Sequence, residues 1–542
     1  MQKVVQASEI IDKLTNNAEI NYDDIFIKGD LSLNRADENR TIYYTSPIKI
    51  TNSTIDGRVI LNSVTFREKV TFSNDEFFDN AYFINSVFLK DTDFTNCKFY
   101  FTNFAEGRFE RSCNFAGSSF CMGANFKNTR FMSYANFKDC MLRGPVDFQN
   151  SESDRVCFDN ANFTGTAYFT GREFRNMARF VNTTFKNAYF ILCRFNSLQM
   201  DHSKVRGSID FRKSTFTNHT TSKNTCFTGY ANLQNCVFLG PVDLGNSTFS
   251  RGCTLSRSLF DKNVDFSSAR FLGAADFSQS QFAGEARFFQ AEFLDDADFS
   301  ICSFNDTLDL GRTTFHGQAN FMNADMKKDI LAEDGQFKGL LNLNRTSYRR
   351  FFIRWDSINR LQYNETSYNL LVSNFKSLGL FEDANECYYK FMCERGSETN
   401  YQAYKGKIGS LFISVFYFLA WILYGFGTRP EVPLAWSIVL TMGIFAPFWY
   451  LNYREISGGI LEKYGSSDKT SLRDKGDFKQ AIKLSSSIFL SGTKIFIDPP
   501  KIPEALKKSN PWINRVYLLE RTLGATFFFL FFLAISKTII FN

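Results

Sequence analysis

From Leu255 onward the large apolar residues keep a fixed interval. Leu255, Phe266, Phe277, Phe288, Phe299, Leu310 and Phe321 stand eleven apart, and so do Phe260, Phe271, Phe282, Phe293, Phe304 and Phe315. The two series interleave in alternating steps of five and six. The register continues through Met326, Phe337, Leu343 and Tyr348 and then ends. Upstream it passes through Phe249, Leu244, Phe238, Leu233 and Phe227. A one-residue slip separates these from Phe158, Phe163, Phe169, Phe174, Phe180 and Phe185. Between Phe94 and Phe109 the step is a plain five. Phenylalanine accounts for 64 of 542 residues against 3 His and 5 Trp, the skew that a repeated core position produces.

Two residues before many of these positions stands a small one: Ala275, Ala286, Ala291, Ala297, Ala319. Neither a 3.6 nor a 2.0 period gives this pattern, so it is neither an amphipathic helix nor an ordinary strand. One large and one small residue inward per step, with three outward, fits a square coil with one face per step. Four faces then take about 22 residues, and coils stack at strand spacing, ~4.8 Å. Residues 50–348 would make about thirteen coils and a rod of roughly 60 Å on that spacing.

ANFKNTRF, AADFSQSQF and EARFFQAEF resemble the A-x-F/L pattern of pentapeptide-repeat proteins, in the variant with an inserted sixth residue. The resemblance implies a β-solenoid, a right-handed quadrilateral β-helix, and says almost nothing of function. Some relatives mimic DNA through a strongly acidic face. Here basic and acidic residues balance from 61 to 330 and the whole chain carries only +6, so no nucleic-acid partner is expected.

An open coil end would template further strand pairing and needs a cap. Residues 1–49 are read as that cap, with an amphipathic helix over 5–17 placing Val5, Ile10, Ile11 and Leu14 on one side. The segment MQKVVQASEIIDKLTNN holds no apolar run of signal-peptide type. All 12 cysteines lie singly between Cys97 and Cys393, which predicts buried thiols in a reducing cytosol. No cysteine spacing suits zinc, and no cofactor or metal is implied. There is no G-x-S-x-G, H-E-x-x-H or G-x-x-x-x-G-K, and His202, His219 and His316 are isolated on the coils, so no enzyme is expected.

After Tyr348 the pattern changes. Residues 349–406 read as a helical hairpin: Leu370, Leu371, Phe375 and Leu378 hold helical spacing up to Gly379, and Phe381–Arg395 forms a second helix ended by Gly396. A structural joint is the favoured role; a tetratricopeptide-type binding pair is the other.

Residues 407–542 hold three apolar stretches, 408–427, 433–452 and 518–540. Between the last two lie a charged loop and a half-length apolar segment, 480–492, followed by SGTKIFIDPP. This order resembles the two-span pore module of potassium channels, with AIKLSSSIFLSGTKIF at the pore-helix and filter position and LERTLGATFFFLFFLAIS as the inner helix. The stretch YNLLVSNFKSLGLFEDANECYYKF with YGFGTRP is similar to the joint in prokaryotic pentapeptide-repeat channel proteins. The resemblance implies a plasma-membrane channel, a homotetramer among membrane lipids with the repeats in the cytosol, passing inorganic ions. Pore and filter positions would be Ser487, Ser491, Gly492, Thr493, Lys494, Phe496 and Asp498, with Glu520 and Gly524 as gating positions on the inner helix.

The potassium filter pattern Thr-x-Gly-Tyr-Gly-Asp is broken here to Thr493-Lys494-Ile495-Phe496-Ile497-Asp498. Bulky side chains at the glycine positions oppose the left-handed backbone that aligns the carbonyls. Lys494 also opposes the cation-attracting end of the half-helix. A weakly selective or anion-favouring pore is therefore expected. The alternative is a non-conducting anchor whose β-helix binds an unidentified cytosolic partner. Segment 408–427 either lies along the interface, as the channel resemblance implies, or spans, as the basic Lys501, Lys507, Lys508 and Arg515 would favour by the positive-inside rule.

Overall fold

The computed structural model describes residues 2–33, 42–404, 408–452, 477–493, 497–500 and 511–539. It divides into two compact units, Met1–Gln362 and Tyr363–Asn542.

The first unit is a β-solenoid of about 16 turns. Its short strands pair in parallel in two sheets, with 29 and 27 strands among the described residues. Paired residues stand one coil apart: Phe271 beside Phe293 and Phe293 beside Phe315. Some coils are shorter: Phe99 pairs with Phe120, and between Phe185 and Phe227, where the phenylalanine register slips, Phe185 pairs with Val205 and Phe195 with Phe216.

The rings fill the axis as columns. Phe266 stacks on Phe288 at 4.9 Å and Phe277 on Phe299 at 4.8 Å, while Phe266 and Phe277 meet edge to face at 5.5 Å. Both arrangements suit the aromatic quadrupole. The small alanines Ala275, Ala286, Ala291, Ala297 and Ala319 are buried, so each inward site alternates large and small. Every second corner needs one residue in the left-handed region. Asparagine supplies many of these, as at Asn96 (φ 54°) and Asn246 (φ 57°), because its short polar side chain tolerates that backbone.

Three residues past many of the large inward residues stands a Ser, Thr or Cys whose side chain donates to the carbonyl of the inward residue one coil back. Cys302 Sγ donates to Phe277 at 3.0 Å, Ser280 Oγ to Leu255 at 2.8 Å and Thr313 Oγ1 to Phe288 at 2.6 Å. This inner ladder satisfies carbonyls that would otherwise be buried unpaired. It accounts for Cys97, Cys140, Cys193, Cys236 and Cys302, which are donors in the wall; all 12 cysteines are free, and burial pushes the Cys302 thiol up to about 12.

One ring is missing at Ser153, between Phe131 and Phe174 in its column. Arg172 fills the gap from the neighbouring corner. Its side chain is fully buried, Nη2 donates to Ser153 Oγ at 3.2 Å, and the guanidinium lies 4.7 Å from the Phe148 and Phe174 ring centres. A flat cation thus replaces a flat ring.

The coils extend beyond the phenylalanine register at both ends. At the start, Lys3–Gln6 pairs with Ile25–Lys28, and Ile20, Ile25, Ile27 and Leu31 take the inward sites. Helix α1 (Ala7–Thr15) closes this end with Ala7, Ile10 and Leu14 buried. Val5 belongs to the preceding strand and Ile11 is only half-buried, which corrects the expected helix face. At the far end Ile358–Leu361 still pairs with Gln336–Asn342, so the stack runs to Leu361 instead of 348. Backbone pairing continues wherever any apolar residue can point inward; Phe is not required.

In the second unit, α2 (Glu365–Ser377) is capped by Asn364, whose side chain accepts from the Ser367 N–H at 3.1 Å, and stops at Gly379 (φ +73°). Helix α3 (Phe381–Tyr404) packs back on it. It runs through Gly396 without ending there, because the glycine does not adopt a left-handed backbone; its Cα side lies against Tyr417. Helix α4 (Ile408–Tyr424) lies along α3 and ends at Gly425-Phe426-Gly427.

Helix α5 (Glu431–Asn452) and helix α7 (Pro511–Ile539) are long and apolar enough to cross a membrane. Pro447 in α5 has no N–H, and the preceding turn, Val439–Phe445, widens to π geometry. Between them in sequence is α6 (Asp477–Leu490), half their length, followed by one 3-10 turn, Ser491–Thr493.

Candidate functional site: a half-length helix held by two span-length helices

Helix α6 packs against both α5 and α7, and Phe445, Trp449, Ala481, Ile488, Ile513 and Tyr517 form their common apolar core. At the centre of this core is a carboxylate. Glu520 of α7 is fully buried; its Oε1 accepts from Ser485 Oγ of α6 at 2.5 Å and its Oε2 from Trp449 Nε1 of α5 at 2.6 Å. Ser485 Oγ also lies 3.2 Å from the Thr441 carbonyl. One side chain therefore ties three helices, and each carboxylate oxygen is satisfied without water.

The end of α6 comes unusually close to α7. A Cβ on Gly524 would fall 2.0 Å from the Phe489 carbonyl oxygen, and one on Gly492 would fall 2.4 Å from the Arg521 carbonyl oxygen. Two glycines, one on each partner, permit backbone-to-backbone packing of the kind small residues give to helices in lipid. Arg521 Nε points at the Ser491 carbonyl from 3.4 Å.

These contacts redistribute the residues that the sequence placed at a pore. Ser491 is fully buried and donates to the Ile488 carbonyl at 2.7 Å, so its hydroxyl lines no path. Ser485 is likewise buried inside the unit. Gly492 is a packing contact on α7 before it is anything else. Glu520 and Gly524, expected as gating positions, face the half-helix. Ser487 is half-buried with its hydroxyl on the Lys483 carbonyl at 2.7 Å. Thr493 Oγ1 is buried without a hydrogen-bond partner, and Asp498 is exposed. Lys494 and Phe496 lie outside the described residues.

Trp449 of α5 is fully buried as well. The signal that would have found the triad was present: a Glu, a Ser and an indole in otherwise apolar segments each need a partner. Their separations of 35 and 71 positions from Glu520 hid the pairing. The arrangement commits the Ser485 hydroxyl and the Trp449 N–H to the Glu520 carboxylate. What it does is fix the backbone at 491–493 relative to two span-length helices.

Elsewhere the unit leaves apolar surface open. Only 33% of the apolar window in α5 and 22% of that in α7 is buried. A hollow of about 320 Å³ beside the glycine contact is walled by Leu434, Ile438, Phe489, Phe527, Phe528 and Phe531.

A family profile described as Pentapeptide repeats (9 copies) matches residues 126–171, 158–204, 223–270 and 266–314, all within the coil stack. No curated protein matches the chain. The repeat unit is thus a pentapeptide-repeat β-helix, followed by a helical region with two helices that meet the length and apolarity of membrane spans.

Proposed function

We propose that the chain is a subunit of an oligomeric membrane channel, by resemblance a homotetramer. Its β-helix would lie in the cytosol, and its pore would be weakly selective or favour anions. The observation that carries this reading is the buried Glu520 joining α6 to both α5 and α7. An anchor needs only apolar length. A half-helix clamped between two spans, with its last turn fixed against α7 by paired glycines, is what a re-entrant pore segment needs. Non-helical backbone at membrane depth survives where protein or a water-filled path covers it. A buried ionisable group in such a helix marks function by default.

Helix α4 fits the interfacial reading. It packs along α3, which carries Glu386, Lys390, Glu394 and Arg395, and a helix bearing those charges does not enter hydrocarbon. The opposite face of α4 exposes Leu411, Phe412, Val415, Phe416 and Leu419, suited to the acyl boundary. Two spans then return the C-terminus to the side of the repeats.

The test is conduction by purified full-length protein in planar bilayers, together with its mass in lipid nanodiscs. A ring of subunits that conducts supports the proposal. A monomer without conductance refutes it and leaves the second reading, a membrane-anchored repeat protein that binds a cytosolic partner.

A further inference from the structure

The run of large apolar inward residues is interrupted a second time, at Ser222, which stands one coil from Met200 and one coil from Leu244. No arginine fills this gap. An internal cavity of about 30 Å³ remains, lined by Met200, Phe211, Thr220, Ser222, Leu233 and Leu244 among others. Two of these residues bring polar atoms: Thr220 Oγ1 and Ser222 Oγ are both buried and neither has a hydrogen-bond partner. Both occupy inward positions of the same corner, two residues apart.

We infer that this cavity is a binding site for an ordered water molecule bridging the Thr220 and Ser222 hydroxyls. Size permits it, since one water needs on the order of 10–15 Å³ measured in the same way. Chemistry requires it, since a buried hydroxyl without a partner is costly and a water needs at least two polar neighbours. A wholly apolar cavity of this size would stay dry. The neighbouring coils show the contrast. Thr225 Oγ1 donates to the Met200 carbonyl at 2.8 Å and Ser247 Oγ to the Ser222 carbonyl, so the inner ladder is complete here and has no donor to spare. The two gaps in the column are thus filled differently: a guanidinium at Ser153, water at Ser222.

The sign of one substitution separates a wet from a dry cavity. If water bridges the two hydroxyls, Ser222→Ala removes one anchor and leaves Thr220 unpaired. Amide exchange from peptides spanning 198–249 of the full-length protein should then speed up roughly tenfold through easier opening of these coils. Thr220→Val should act similarly, and the double variant should be little worse than either single one, because one water serves both. In a dry cavity Ser222→Ala deletes an unsatisfied hydroxyl, and exchange would stay unchanged or slow. That result overturns the inference. A density map that resolves waters elsewhere in the solenoid settles it directly: a peak within hydrogen-bond distance of both oxygens supports the site, and an empty cavity refutes it.

Discussion

Gly524 meets Phe489 so closely that the Phe489 carbonyl oxygen sits 2.0 Å from where a Cβ on Gly524 would be. No side chain other than hydrogen fits there without moving α6 away from α7, because the obstructing atom is backbone and cannot rotate aside. Gly524→Val should therefore lower the melting temperature of the detergent-solubilised protein and abolish any conductance. Gly443→Ala is the control: nothing lies within 4 Å of its Cβ position, so it should be neutral or gain the helix propensity of alanine, up to about 1 kcal/mol. Equal tolerance of both changes would show that the close packing is absent in the membrane.

The Arg172 side chain substitutes for a ring, so the two positions should compensate. Arg172→Ala opens a core cavity and should cost about 2–4 kcal/mol in chemical denaturation. Arg172→Ala combined with Ser153→Phe rebuilds the stack between Phe131 and Phe174 and should recover most of that loss. A double variant no better than Arg172→Ala alone would mean that the guanidinium does more than fill space.

Asp75 gives the repeat unit a pH dependence. It occupies an inward small-residue site with its Oδ1 accepting from the Ser53 N–H at 2.7 Å and its Oδ2 buried without a partner. Burial pushes its carboxyl up to about 8, far above its unfolded value. The folded state therefore holds a proton that the unfolded state has released. This stabilisation is complete below about pH 4, is lost as pH rises toward 8, and levels off above. The slope relative to Asp75→Asn should be on the order of 1 kcal/mol per pH unit across that window. Unfolding midpoints for both proteins between pH 5 and 9 check it. Parallel curves would show Asp75 ionised in the fold.

Phe288 stacks on Phe266 at 4.9 Å on one side and meets Phe277 and Phe299 edge to face at 5.5 Å. Phe288→Asp buries a charge with no counter-ion and should leave no folded repeat unit. Phe288→Leu keeps most of the volume and should cost about 1–2 kcal/mol, since Leu already serves at positions 255 and 310. Far-ultraviolet circular dichroism and protease resistance distinguish them. A stable Phe288→Asp protein contradicts the inward column.

Selectivity is read from reversal potentials under a KCl gradient. Lys494→Glu should move the potential toward cation preference if a ring of Lys494 lines the path. An unchanged potential in a clearly conducting variant places Lys494 off the pathway, and strong potassium-over-sodium preference in the unaltered protein overturns the expected filter chemistry.

The sequence determined the solenoid by itself. Spacing of five and six with one large residue per step permits a single periodic solution, and each coil repeats the contacts of the last, so local pattern and tertiary packing carry the same information. Helix α2 and the two span-length helices were legible for similar reasons, from spacing, a stop glycine and apolar length. The ends of the stack were not, because Ile, Val and Leu carry the first coils, and after Tyr348 the spacing breaks even though Phe351, Ile358 and Leu361 still point inward. Nor was the filling of the gaps at Ser153 and Ser222: a buried arginine reads as a surface residue until its column neighbours are known. The half-helix was visible as a segment, but its clamp was not. Ser485, Trp449 and Glu520 come from three different helices, and only their packing reveals that one carboxylate satisfies both donors. Repetition makes a fold readable from one dimension; a site assembled once, from distant positions, exists only in three.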